Sequence, residues 1–272
     1  MGHSEIETLK ELMEILSKLT PAETLLVLET SNTELKDLMK YTFMDLLLKK
    51  AIKTTEVRKR PNRRDRVRIY SYVIAGKNLS SYKPMPHEMI YLSPFQESSS
   101  IQILFRHVVK IGFQNSGGKK MFIRKKLMTS SNLHGHFKNG LFDSFFNNIK
   151  LTPKGERTLK EIKKSIEKLE KELPDIINTD KKKALEILLT IKGNVFLLKN
   201  LDFQLLKKID AQLMEEFKRQ SNDDTGCYGC GDWDSHGDSF DSSFDSADSF
   251  GGDSGCSGCS GCGGCGGCGG CS

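Results

Sequence analysis

The chain reads as mainly α with a small β-hairpin and a disordered tail, and three observations carry that reading. Apolar residues recur at spacings of three and four over most of the first 220 positions, the period of one helix face. Between Ile52 and Ala75 the period drops to two, which suits half-buried strands. The last 52 residues hold all eight cysteines and 15 of the 24 glycines, too little apolar surface to bury a core. The composition divides the chain into 1–80, a helical module ending in the hairpin, 81–220, a second helical module, and 221–272, the tail.

Taken in order, Ile6, Leu9, Leu12, Met13, Leu16 and Leu19 form the stripe of a first helix. Thr20-Pro21-Ala22-Glu23 then predicts a capping box, with the Glu23 carboxylate reaching back to the cap N–H and Pro21 in the first turn. Ser31 and Glu34 repeat that spacing ahead of a third helix through Leu35, Leu38, Met39, Phe43, Leu46 and Leu47. Lys49 and Lys50 close it at the end where cations are favoured.

Ile52 to Arg60 and Arg66 to Ala75 read as two strands around the turn Pro61 to Asp65. Val67, Ile69, Ser71 and Val73 fall on one side and Arg68, Tyr70, Tyr72 and Ile74 on the other. Three helices followed by a hairpin is the order of a winged helix, so the first module is expected to be winged-helix-like. Arg58, Lys59, Arg60, Arg63, Arg64, Arg66 and Arg68 crowd the tip against the single acid Asp65. That density fits contact with phosphates; it also fits an exposed edge kept soluble by charge.

A Lys/Ser/Pro linker from Lys77 to Pro86 leads to Pro86-His87-Glu88, which echoes Pro21-Ala22-Glu23 and opens another helix through Met89, Ile90 and Tyr91. Ser100 to Gly112 is expected to be helical, burying Ile101, Leu104, Phe105, Val108 and Val109. Lys119 to Met128 is basic again, and Phe137, Phe142, Phe145 and Phe146 read as core aromatics. His134 and His136 read as a loop pair, lacking Cys, Asp or Glu at ligand spacing. Leu159, Ile162, Ile166, Leu169 and Leu173 form a coiled-coil-like seam for another helix of the chain or a second copy, with Pro174 expected to end it. Helices over Lys181 to Leu198 and Asp202 to Arg219 complete the body.

Leu151-Thr152-Pro153-Lys154-Gly155-Glu156 resembles the segment that closes many bacterial winged-helix domains and starts their final helix. The wider layout, from the Leu19-to-Glu23 opening through the Pro86 module to the Gly/Cys end, resembles an uncharacterised group of bacterial proteins. Those proteins set a helical region before a low-complexity Gly- and Cys-rich terminus, and many carry membrane helices absent from this sequence. The resemblance implies no known activity and transfers no catalytic residue.

The tail carries Cys227, Cys230, Cys256, Cys259, Cys262, Cys265, Cys268 and Cys271, the last six at every third position. Soft thiolates at such spacing suit Zn or Cu(I), although the gap from Cys230 to Cys256 exceeds that of a zinc ribbon. Modification by a separate enzyme and compositional drift remain alternatives. All nine tail charges are Asp, leaving the body at +15 against the chain's +6. This asymmetry points to a polyanionic partner or a tail that folds back on the body. No Cys precedes position 227, and no apolar run reaches membrane-spanning length, so a cytoplasmic, reduced setting is expected. No nucleotide-binding loop, His-Glu-x-x-His or nucleophile elbow occurs. The leading expectation is a non-enzymatic interaction protein whose tail binds soft metal. The alternatives are a nucleic-acid binder using the basic hairpin and a substrate of a tail-modifying enzyme.

Overall fold

The computed structural model describes residues 13–60, 62–64, 66–138 and 149–199. The expected helix over Asp202 to Arg219, Phe142, Phe145, Phe146 and the tail with its eight cysteines lie outside the described residues. Within them the chain is mainly helical, with one three-stranded antiparallel sheet.

Residues 13–18 are the described end of α1, and Met13, Leu16 and Leu19 are buried. A helix end leaves carbonyls without intrahelical partners. Here buried Asn194 donates Nδ2 to Leu16 O at 2.7 Å and to Leu19 O at 2.8 Å, tying the first described helix to a 3-10 turn at Lys192–Leu197. The α2 helix (Pro21–Glu29) starts as its sequence predicts. Glu23 N donates to Thr20 Oγ1 at 3.3 Å, and Thr20 N donates to Glu23 Oε2 at 2.8 Å. Glu23 is fully buried, and Ser130 Oγ and Asn132 Nδ2 donate to it as well.

The cap of α3 (Leu35–Leu48) differs from expectation. Glu34 is its N-cap and makes no side-chain capping bond. Ser31 sits one turn away, where its hydroxyl accepts from Ile149 N at 2.8 Å. A tertiary bond has taken the oxygen that the local motif would have used. Leu38, Met39, Phe43 and Leu46 are fully buried, and none of positions 36–48 is fully exposed.

Strands β1 (Ile52–Lys59) and β2 (Arg68–Ala75) pair in antiparallel register from Ile52↔Ala75 to Lys59↔Arg68. A short β3 (Ile103–Leu104) adds to β2 at Tyr72 and Val73. The helix expected from Ser100 therefore begins later, as α5 (Phe105–Ser116). The inner edge of β2 needs backbone partners, and the extended pair before α5 supplies them.

Between hairpin and β3 lies α4 (Met89–Glu97), which contains Pro94. Proline cannot donate to the carbonyl four residues back. That carbonyl, Ile90 O, instead accepts from Asn115 Nδ2 at 3.1 Å, joining α4 to α5. Their crossing is close: a Cβ on Gly112 would fall 2.2 Å from Tyr91 Cε1. Tyr91 is buried, stacks edge-on against Phe43 at 5.3 Å and donates its hydroxyl to Met39 O. After Gly117 and Gly118, α6 (Lys119–Met121) widens into a π-helix over Phe122–Leu127.

Thr152 caps α7 (Pro153–Thr179), accepting from Gly155 N at 3.2 Å. Pro174 does not end this helix. Buried Leu173, Ile176 and Ile177 lie on both sides of it, and their burial offsets the missing backbone bond. The expected seam faces the chain's own core: Ile162, Leu169 and Leu173 are buried, Leu159 and Ile166 are packed against them, and α2 and α8 (Lys181–Ile191) are the neighbours. One continuous apolar cluster runs from Met13 to Leu198. Among the described residues, no helix is long and apolar enough to cross a membrane.

Asn194→Ala would leave two buried carbonyls unpaired, and the expected loss is about 1–3 kcal/mol. Urea unfolding followed by circular dichroism checks it; unchanged stability would mean that the α1 end finds other partners.

Candidate nucleic-acid interface

The hairpin is built out from a clamped base. Gly76 N donates to Ala51 O at 2.9 Å, Asn78 N to Lys50 O at 3.1 Å, and Asn78 Nδ2 to Lys49 O at 2.9 Å. The approach at Gly76 is so close that a Cβ there would lie 2.1 Å from Lys50 O, so only glycine fits.

Beneath this clamp sits a polar cluster that sequence reading did not assemble. Lys49 Nζ lies 2.6 Å from Asp45 Oδ2 and 2.8 Å from Glu88 Oε1. Tyr82 donates its hydroxyl to Glu88, Met85 N donates to Glu88 Oε2 at 2.7 Å, and Lys49 stands 5.6 Å from the Tyr82 ring centre. Asp45 and Glu88 are both buried. His87 is buried too, with Nε2 3.3 Å from Thr20 Oγ1, so the two Pro-x-Glu motifs touch. The spacing of Asp45 and Lys49 by four on α3 was a visible signal, whereas Glu88 comes from 39 residues further on.

The cluster shifts its own protonation equilibria. Burial pushes Asp45 up to about 6, even with Lys49 opposing it. Burial also acts to raise Glu88, but Lys49 and His87 overrule it and hold the carboxyl below its usual range. For Lys49, burial disfavours the charge, yet Asp45 and Glu88 hold the ammonium pKa above the ordinary lysine value. Burial lowers His87 against the pull of Glu88 and Glu23.

Beyond the base the hairpin leaves the body. On its core-facing side Ile52 and Val73 are buried, but Ile69 is 56% exposed and Val67 51%. From Val73 to Val67 is about 20 Å of extended chain. Arg58, Lys59, Arg60, Arg63, Arg64, Arg66 and Arg68 are all exposed, so the fold brings the seven basic residues onto one projecting arm. Among the described residues the six arginines make no ion pair. Lys59 donates to Tyr72 Oη at 3.1 Å and lies 4.9 Å from its ring centre. Pro61 and Asp65 of the turn lie outside the described residues.

The histidine pair is split. His134 is exposed, whereas His136 is buried with Nε2 3.2 Å from Thr158 Oγ1. Among the described residues no group of three or more His, Cys, Asp or Glu is placed to hold a metal. No family model matches the chain, and no curated protein or solved structure matches it either.

The polar cluster makes stability depend on pH. Asp45 takes a proton near pH 6 when folded and near its ordinary 3.8 when unfolded. The folded state thus binds the extra proton across that window, and this group adds stability as pH falls through it. Wild type should gain on Asp45→Asn by about 1.4 kcal/mol per pH unit between 6 and 4. Urea midpoints at several pH values measure the difference, and a pH-independent gap would show that Asp45 does not titrate there.

Proposed function

We propose that the chain is a non-enzymatic protein that binds duplex nucleic acid through the β1–β2 hairpin, used as the wing of a winged-helix-like module. The observation that carries this reading is the arm itself, seven exposed cations with two exposed branched apolar side chains among them. Charge alone would keep a strand edge soluble; Ile69 and Val67 add apolar surface among the cations that a bound partner would cover. A two-stranded ribbon fits the major groove of B-form DNA, where apolar side chains meet thymine methyls and arginines meet phosphates or guanine edges.

Three helices precede the hairpin, in keeping with the winged-helix reading. The helix before the wing, α3, has no fully exposed position, so this module is expected to grip the duplex by its ribbon. Such binding is mainly electrostatic, and its affinity falls steeply with salt.

The test is fluorescence anisotropy of the full-length protein with a labelled 20-base-pair duplex over a range of salt. Arg63→Glu with Arg64→Glu should weaken binding by at least about 10-fold and reduce the salt slope by about 2, with the melting temperature unchanged. Retained affinity and slope would sink the hairpin reading.

A second reading concerns the tail, and the spacing of its cysteines supports it. In a reduced, cytoplasmic setting the comb from Cys256 to Cys271, with Cys227 and Cys230, offers thiolates suited to Zn or Cu(I). A tail modified by a separate enzyme is the competing account. Intact-mass spectrometry of protein purified anaerobically from its native cell separates them. Metal lost on denaturation with eight free thiols is the expected result; covalent mass added in the tail would make the chain a substrate.

A further inference from the structure

We infer that α5, the Gly117-Gly118 turn and α6 form a second nucleic-acid contact, a helix-turn-helix whose second helix presents Lys120, Met121 and Lys125 to base edges. The inference rests on the reading that the chain binds duplex nucleic acid, and adds to it a means of distinguishing sequences.

The turn is specified residue by residue. Gly117 and Gly118 have φ of 71° and 85°, values that side chains other than glycine's rarely allow. Ser116 Oγ donates to Phe113 O at 2.7 Å and accepts from Gly118 N at 3.1 Å. Phe122 N then donates to Gly118 O at 2.9 Å, starting the next helix. Two helices joined by a short glycine turn have the connectivity of a helix-turn-helix, a unit that can place its second helix in a major groove.

The second helix is held from behind and free in front. Phe122, Ile123 and Leu127 are buried at 0–1% exposure. The π-turn lets Phe122 and Leu127, five apart, share that buried side, and Met128 N donates five residues back to Ile123 O at 2.8 Å. Such turns are rare and recur at functional sites. Lys119 Nζ fixes the helix start by donating to Ser31 O at 3.1 Å. Lys120 and Lys125 are exposed, and Met121 is 50% exposed between them in sequence.

Charge separates this helix from an ordinary solvated face. On α7, Glu161, Glu167, Glu170 and Glu172 alternate with lysines, as on a surface that only needs to be wet. From Ser98 to Phe142 there is no Asp or Glu, while Arg106, Lys110, Lys119, Lys120, Arg124, Lys125, Lys126 and Lys138 all fall in that stretch. A stretch of one sign attracts a polyanion where its cations are exposed, as Lys120 and Lys125 are. The reading of the hairpin as a duplex-binding wing favours a groove over a flat anionic surface as the partner of this helix.

The experiment is selection from a random-sequence duplex pool with the full-length protein, followed by anisotropy titrations. Wild type should enrich a short preferred sequence. Lys120→Gln with Lys125→Gln should lose that preference and lower the salt slope by about 2, and Met121→Ala should weaken the preference with the slope unchanged. Arg63→Glu with Arg64→Glu should instead weaken binding to every sequence while keeping the preference. If the glutamine variant keeps both preference and slope, this inference fails and the hairpin reading stands. If wild type binds no duplex, both fail. Loss of binding to phosphatidylserine vesicles with duplex binding intact would overturn it in favour of a membrane surface.

Discussion

The position of the hairpin depends on one partly buried ammonium. Lys49 caps the end of α3, and three residues later the chain enters β1; its nitrogen lies between Asp45 of that helix and Glu88 at the start of α4. Removing these charges from water costs several kcal/mol for each ion, which mutual attraction offsets only when the geometry is good and the remaining lone pairs are used. Glu88 meets that condition through Tyr82 and Met85 N. Asp45 does so less completely: its Oδ1 has no hydrogen-bond partner and lies against Gly193, in keeping with its raised pKa. The triad therefore sets how α3, the hairpin base and α4 meet more than it adds to net stability, since removing either partner would strand a buried charge.

The two Pro-x-Glu motifs show how a local signal acquires a tertiary role. In each, the glutamate accepts the backbone N–H three residues before it, Thr20 N at 2.8 Å and Met85 N at 2.7 Å. For Glu23 that much was legible, because a capping box needs only four consecutive residues; at Glu88 the sequence showed only the echo, and Met85 has no side-chain oxygen to complete a box. What each carboxylate does with its other lone pairs was not. Glu23 turns to Ser130 and Asn132, and Glu88 to Lys49 and Tyr82. Those partners lie far off in sequence and obey no spacing rule.

The same division runs through the rest of the fold. The hairpin, its alternation and its basic tip were readable, since period two and charge density are local properties. The unread elements each yielded to a distant neighbour. Ser31 left its cap for Ile149, residues 103–104 extended to serve β2, and α7 continued past Pro174 because its apolar face is buried beyond the break. The exposure of Val67 and Ile69 was equally hidden. Their alternation with polar residues predicts a buried face, and only the length of the arm beyond the core leaves them in water.

The distribution of acids has a consequence for encounter with a polyanion. Glu23, Asp45 and Glu88 are spent inside the body, where they order elements and their charge is met within it. The hairpin tip keeps its cations exposed, and in the acid-free stretch from Ser98 to Phe142 Arg106, Lys110, Lys119, Lys120, Lys125 and Lys138 are exposed while Arg124 and Lys126 are half-buried; α7 mixes both signs. The field of the body is therefore uneven, strongest where the chain projects a ribbon or a helix and weak along α7. An uneven field orients an approaching polyanion before contact as well as attracting it. Screening removes that advantage over about 8 Å at physiological salt, so for the proposed polyanionic partner orientation would act only in the final approach, leaving contact geometry at the hairpin and at the second proposed surface to decide the rest.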